Sequence, residues 1–362
     1  MGIAAGNAQR QRRAVEAIEA SGGTVGYAHD FDFDKGHYAK GEPPGPEWLR
    51  TLLGRHYFDT VIEVSFSNPN RSGNRAPLGQ AAPYLADLPR LRKLHVGYFQ
   101  PTNDDLGELV ARANPEQLSC GMLEISDTVA ARIAEADRLK RISLNEVVIS
   151  ASGIAEFERL AGLEEFYLCC THMYRGPNNE LIWDSKRFGI DDEAVDAIVQ
   201  FKKLRRLSLS FTQISLDGFR RLTELGQLES FSVSSPFVTP EAVDSVVRLK
   251  NVTFLGLGGT QIDDAGVPKL SDLKHLKALR LSSAVTNAGL PSVAKLQQLE
   301  SLDLAGDRIN DDGLIHLEGM KNLRRLDLQS TGVTTDGPAV KRLKQALPNC
   351  SIRQYYPSPS FR

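Results

Sequence analysis

The chain is short of most of what catalysis, metal binding or membrane insertion requires. Four cysteines in 362 residues (Cys120, Cys169, Cys170, Cys350) are too few and too scattered for a disulfide framework, and no CxxC pair occurs. No excess of charge is present either. The 43 basic and 45 acidic side chains leave a formal charge of −2, which provides no general pull toward nucleic acid or an anionic membrane. No apolar run approaches the roughly 18 residues of a membrane helix. The opening "MGIAAGNAQRQRR" lacks the apolar centre of a signal peptide, and Gly6 stands where N-myristoylation expects Ser or Thr. The expectation is a chain without signal peptide or membrane insertion. Hydrophobic residues make up 41%, as in an ordinary folded chain. A length of 362 residues exceeds one usual core, so several domains or a repeat array are expected.

A repeat array is what the pattern supplies. "LRRLSLSFTQISLDGFRRLTELGQ" from Leu204 and "VTFLGLGGTQIDDAGVPKLSDLKH" from Val252 share apolar positions. Leu204, Leu207, Leu209, Ile214, Phe219 and Leu222 fall on Val252, Leu255, Leu257, Ile262, Val267 and Leu270. The same skeleton begins at Leu91, Pro115, Leu139, Leu163, Leu228, Leu276, Leu299 and Leu323, mostly in steps of 24. The step into Leu299 is 23, and the step from Leu163 to Leu204 is 41, which is 24 plus an insertion of 17. A degenerate unit at Val61, Val64 and Phe66 leads the series, making eleven.

Inside each unit "LxxLxL" alternates with the period of a strand, and apolar residues then recur every three as one stripe of a short helix. A strand and helix of this size cannot close a core alone, but stacked units can. Strands about 4.8 Å apart would make a parallel sheet roughly 50 Å long. The predicted organisation is an N-terminal capping region over 1–60, the solenoid over 61–352 with an insertion at 174–189, and a C-terminal tail over 353–362.

On these residues the chain resembles the leucine-rich repeat family. Thr171, Thr212, Thr260 and Thr331 stand where the consensus "LxxLxLxxNxL" has Asn, and Asp307 does so in the tenth unit. The form "LxxTxIxDxGLxxL", as in "LGGTQIDDAGVPKL", looks like a 24-residue subclass abundant in some environmental bacteria. The closing "LPNC" (347–350) and the leading "AVEAIEASGG…GPEWLRTLLG" are similar to that subclass too. The resemblance implies an α/β fold, a right-handed horseshoe solenoid with a parallel concave sheet, and a ligand-binding habit. It brings no catalytic motif, cofactor or metal. Relatives of this type often carry a membrane anchor before the first helix, where this chain has eight residues.

The stretch "SLDLAGDRINDDGL" (301–314) raises the question of why aspartates cluster in the turns. Aligned by period, the residue after each buried Ile/Val place reads Thr102, Ser126, Ser150, Asp191, Ser215, Thr239, Asp263, Thr286, Asn310, Thr334. All ten are residues that cap helix N-termini, where unpaired amides need an acceptor. Asp192, Asp264, Asp311, Asp312 and Asp336, just inside, suit the positive end of the helix dipole. Gly153, Gly218, Gly266, Gly289, Gly313 and Gly337 form a further column, expected where the helix crowds its neighbour. "DRINDDG" does not have the spacing of a calcium loop.

Three arrangements invite a chemical reading. "CCTHM" (169–173) offers thiols beside a histidine, yet by period it is a turn copy of "SFTQI". Asp303 and Asp327 share one outward strand column and imitate a glycosidase pair, although Arg280 in that column and Arg325 beside it suggest an ion ladder. The outward column itself runs His95, Ser119, Ser143, Tyr167, Ser208, Ser232, Gly256, Arg280, Asp303, Asp327, small in its middle. Larger groups surround it, and aromatic and arginine side chains are common interface anchors. The expected partner-binding residues are therefore Tyr98, Arg141, Tyr167, Arg206, Phe211 and Arg280, with Tyr174 and Trp183 from the insertion "YRGPNNELIWDSKRFG".

At the ends, 9–21 reads as an amphipathic helix, "GGTVGYAHDFDF" as a strand and "EWLRTLLGRHYF" as a second helix. Together they are expected to cover the first repeat edge. The reading is a non-enzymatic repeat protein that binds a protein or peptide through its concave face. The alternative is a carbohydrate- or cell-envelope-binding structural protein; neither nucleic acid nor a cofactor is expected.

Overall fold

Stacked strands, each followed by a turn and a short helix, are the outcome of the 24-residue period. In the computed structural model the described residues are 2–32, 37–38, 42–67, 78–97, 103–169, 173–175, 181–183, 190–304 and 308–354. The chain divides into two compact units, Met1–Tyr174 and Arg175–Arg362.

In the first unit the strands Val61–Ser67, Lys93–Gly97, Gln117–Gly121, Arg141–Asn145 and Glu165–Cys169 pair in parallel, one repeat per strand. Register holds through the weak second repeat: Leu118 and Cys120 are buried in line with Leu94 and Val96. Strand Thr24–Tyr27 pairs antiparallel with Val61–Ser67, with an irregularity between Gly26 and Tyr27. This closes the edge of the leading repeat with hydrogen bonds that a parallel neighbour would otherwise supply. The first helix is Gly2–Ala20, longer than its periodic stretch, and buries Ala14, Val15 and Ile18. The expected second helix stops at Leu53, because Gly54 at φ 85° leaves the helical region; a 3₁₀ turn, Arg55–Tyr57, follows.

In the second unit seven strands, from Arg206–Ser210 to Ser351–Arg353, pair in parallel without slippage. Leu204, Leu207, Leu209, Ile214, Phe219 and Leu222, and their counterparts from Val252 to Leu270, are all at most 1% exposed. The threonines at the consensus asparagine place turn inward as well. Thr260 Oγ1 donates to Leu257 O at 2.8 Å, and Thr331 Oγ1 to Leu328 O at 2.7 Å. At Thr260 the hydroxyl adds to the bond that its own amide makes to the same carbonyl, at 3.3 Å.

The helices differ from the expected pattern in the later repeats. Asp192–Ile198 and Leu216–Leu222 are α-helical, whereas Pro240–Ala242 and Val267–Asp272 are 3₁₀. Both of the latter carry proline in the first turn, at 240 and 268, but Asp311–Leu317 is 3₁₀ without one. No helix among the described residues is long and apolar enough to cross a membrane.

Candidate functional site

The acidic turns come first, because their geometry decides whether they are a site. Ser126, Ser150, Asp191, Ser215 and Asn310 each accept a hydrogen bond from amides of the following turn, as helix caps. Asp263 and Thr286 do the same for Ala265 N (3.1 Å) and Ala288 N (3.2 Å), ahead of helices that start a few residues later. Two members of the column depart from this. Thr239 makes no side-chain cap bond and is followed by Pro240, and the helix after Thr334 starts only at Pro338, with Gly337 as its cap. Thr102 lies outside the described residues.

The residue after the cap does more than complement a dipole. Asp192 Oδ1 accepts Ser215 N of the next repeat at 2.9 Å, while Ser215 Oγ donates to Asp192 Oδ2. Asp264 holds Thr286 in the same way, at 2.8 Å from the amide and 2.6 Å from the hydroxyl. Asn287 accepts Asn310 N at 3.1 Å, and Asp311 accepts Thr334 N at 2.8 Å. In the first unit Asp127 accepts from Ser150 Oγ. Five rungs therefore clamp the cap of the next, whereas Ala151, Leu216 and Pro240 leave that place without a clamping side chain.

The glycine column is the socket for this clamp. A Cβ on Gly218 would overlap Asp192 Oδ1, one on Gly289 would stand 2.5 Å from Asp264 Oδ1, and one on Gly313 would overlap Asn287 Oδ1. Gly266 meets Val243 instead, as expected where Pro240 replaces the clamping side chain. No group of three or more His, Cys, Asp or Glu able to hold a metal occurs among the described residues, and Asp307 lies outside them.

The thiols sit in settings that suppress the thiolate. Burial pushes the Cys120 thiol up to about 12, and burial also raises Cys169 and Cys350. Cys170, Thr171 and His172 lie outside the described residues. Asp303 and Asp327 are direct register partners, but each faces an arginine. Arg280 Nε donates to Asp303 Oδ2 at 2.6 Å, and Arg353 Nη1 lies 3.8 Å from Asp327 Oδ2. Gln329 N also donates to Asp327 Oδ1 at 2.9 Å. That is an ion ladder.

The outward strand positions remain. In the first unit Arg141 and Tyr167 meet through Glu165, whose Oε2 accepts from Arg141 Nε and, at 2.9 Å, from Tyr167 OH. The Arg141 guanidinium also lies 5.7 Å from the Tyr167 ring centre. His95, two strands from Arg141, stands 3.6 Å from Glu63; desolvation lowers its pKa, Glu63 opposes that, and Lys93 adds to it.

In the second unit Arg206 heads the face on one side, and Arg280 stands three strands away in the neighbouring column. Phe211, at the exit of the first strand, is 56% exposed and has φ 58°. Its place in the repeat is left-handed in Met122, Glu146, Gly259 and Ser330 as well, though not in Ser235 or Ser283, so the conformation belongs to this form of the turn. Glycine takes it without strain, whereas a bulky side chain pays about 1 kcal/mol or more.

Tyr98 lies outside the described residues. Tyr174 and Trp183 lie on the short strands Met173–Arg175 and Leu181–Trp183, but their side chains, and the insertion's remaining residues up to 189, are outside the described set.

Sequence reasoning missed Phe237, 54% exposed just beyond the strand that neighbours that of Phe211. Its repeat carries Ser235-Pro236 where the flanking repeats have Thr212 and Thr260, and that irregularity was the available signal. It also missed Trp48 and Leu52, exposed on helix Glu47–Leu53.

No family profile and no curated protein sequence matches the chain. Solved structures do. An internalin from Listeria monocytogenes is 18% identical with a TM-score of 0.48, covering 75% of this chain and 69% of its own. TLR13 in complex with ssRNA13 is also 18% identical at 0.48, covering 76% of this chain and 37% of TLR13. A leucine-rich repeat protein from Leptospira interrogans is 15% identical at 0.33, covering 75% and 91%. At such identities and scores none of them bears on a ligand or partner, and the assignment rests on the period, the ladder and the clamped caps. By these features the chain is a stack of strand–turn–helix repeats whose residues resemble those of leucine-rich repeat proteins.

Proposed function

We propose that this chain is a non-catalytic interaction module that presents the exposed face of its sheet, together with the turns where the strands end, to a protein or peptide. Phe211 carries the reading. A large apolar side chain kept more than half exposed, in a backbone conformation that favours glycine, is disfavoured by both solvation and sterics. A ring this exposed at the end of a strand supports contact with a partner there. Phe237 adds a second exposed ring at the end of the neighbouring strand.

Phe211→Gly separates the two roles. Relief of the left-handed strain offsets the extra chain entropy of glycine, so stability should stay within about 1 kcal/mol of wild type. Affinity for the partner should fall at least tenfold. The partner is found by photo-crosslinking in the native host, with a benzoylphenylalanine at Ser208 or Ser232 on the face, or at Arg221 on the helical side. Crosslinks from the face alone support the reading; crosslinks only from position 221 contradict it. The carbohydrate alternative rests on Tyr174 and Trp183, and glycan-array binding abolished by Trp183→Ala would favour it instead.

A further inference from the structure

We propose that the exposed sheet face of the second unit selects an acidic peptide segment, an inference that rests on reading this face as the partner surface. The outward strand positions from Arg206 to Arg353 carry four arginines (Arg206, Arg280, Arg325, Arg353) against two aspartates, Asp303 and Asp327. This positive excess belongs to a chain whose formal charge is −2. The matching positions of the first unit show no such bias, since Glu63 and Glu165 balance Lys93 and Arg141.

Arg280 is held ready. A Cβ on Gly258 would stand 3.1 Å from Arg280 Cδ, so the arginine stem lies over the glycine. Asp303 takes its Nε at 2.6 Å, and the side chain is still 54% exposed. Among the described residues Nη1 and Nη2 have no partner, which leaves the planar end of the guanidinium open to a carboxylate in the two-pronged geometry arginine favours. Because Asp303 fixes the plane, little rotamer freedom is left to lose on binding. Arg325 is exposed and makes no ion pair among the described residues.

The same row argues for a peptide rather than a nucleic acid. Asp303 and Asp327 interrupt the arginines, and an evenly charged phosphate backbone would meet both. A peptide can set neutral residues against them and place its acids on Arg280 and Arg325. Phe211 and Phe237, at the strand ends, offer apolar contact to flanking side chains.

The test uses the full chain and a phage-displayed library of random dodecapeptides, with enriched sequences resynthesised and measured by fluorescence anisotropy. Expected are enrichment of Asp and Glu over the unselected library, a loss of at least tenfold with Arg280→Ala, and weaker binding as salt rises from 50 to 300 mM. Arg280→Lys keeps the charge without the fork and should recover only part of the affinity. Arg325→Ala is the second probe should Arg280→Ala alter folding, which circular dichroism reports.

Binders without acidic enrichment, or acidic binders indifferent to both arginine variants, overturn the proposal. Ser232→Trp, a neutral wedge in the middle of the face, tells the two readings apart. Peptides lost with Ser232→Trp but indifferent to both arginine variants leave the face reading standing and sink the acidic one. Peptides indifferent to Ser232→Trp sink both, as does a library that yields no binder. A single-stranded oligonucleotide that binds the face more tightly than the selected peptides overturns the choice of partner class.

Discussion

Replacing Gly218 by alanine should destabilise the second unit by about 2–3 kcal/mol, the opposite sign to the usual effect. Inside a helix, glycine to alanine normally gains roughly 0.5–1 kcal/mol, because alanine has less chain entropy to lose. Gly218 lies within the helix Leu216–Leu222, yet a Cβ there would occupy the space of Asp192 Oδ1. The carboxylate must then swing away, with loss of its bonds to Ser215 N and Oγ, or the two repeats must part. Overpacking alone costs about 1–3 kcal/mol, and a disturbed cap roughly 1 kcal/mol more. Gly226 is the control. Nothing lies within 4 Å of its notional Cβ, so Gly226→Ala should be neutral or slightly stabilising in the same urea titration. If both substitutions act alike, Gly218 is not a socket.

Phe231→Ala should be the costlier change, at about 3–5 kcal/mol. Phe231 is fully buried at the position most other repeats give to leucine, and its ring centre lies 5.4 Å from that of Phe219, also fully buried. Deleting the ring removes contact between a strand and the helix of the preceding repeat at once. In a stack where each repeat leans on its neighbours, the loss should spread to adjacent rungs before distant ones. Hydrogen exchange should therefore accelerate first at the strands Arg206–Ser210 and Phe254–Gly256. Uniform acceleration through the unit, or a loss under 1 kcal/mol, would mean that the two rings are not a shared keystone.

The ladder was legible in the sequence because burial alternates with a fixed phase. Once Leu207 and Leu209 are placed inward, every outward residue follows by counting. Setting Arg141 beside Glu165 needs only the register, as does Asp303 beside Asp327. The cap column was legible for the same reason.

The clamp was not, because its partners lie a full repeat apart and their meeting depends on how closely two helices stack. Asp192, Asp264 and Asp311 read as ordinary first-turn residues, although the glycine column three places beyond the caps was the counterpart of their reach. The left-handed turn at Phe211 was hidden too, since only Gly259 among its counterparts has the residue type that betrays such a conformation. The helical turn after Thr239 starts in place at Pro240 but without a side-chain cap bond, and only the helix after Thr334 is delayed, to Gly337-Pro338.

That the acidic turns serve main-chain amides of the next rung, and not a bound ion, is best tested by a double-mutant cycle. Asp192→Ala, Ser215→Ala and the pair would be unfolded in urea, with millimolar calcium and with chelator. A coupling of about 1 kcal/mol or more, unchanged by calcium, is the predicted result. Strictly additive losses, or a wild-type transition that rises with calcium and falls with chelator, would contradict it.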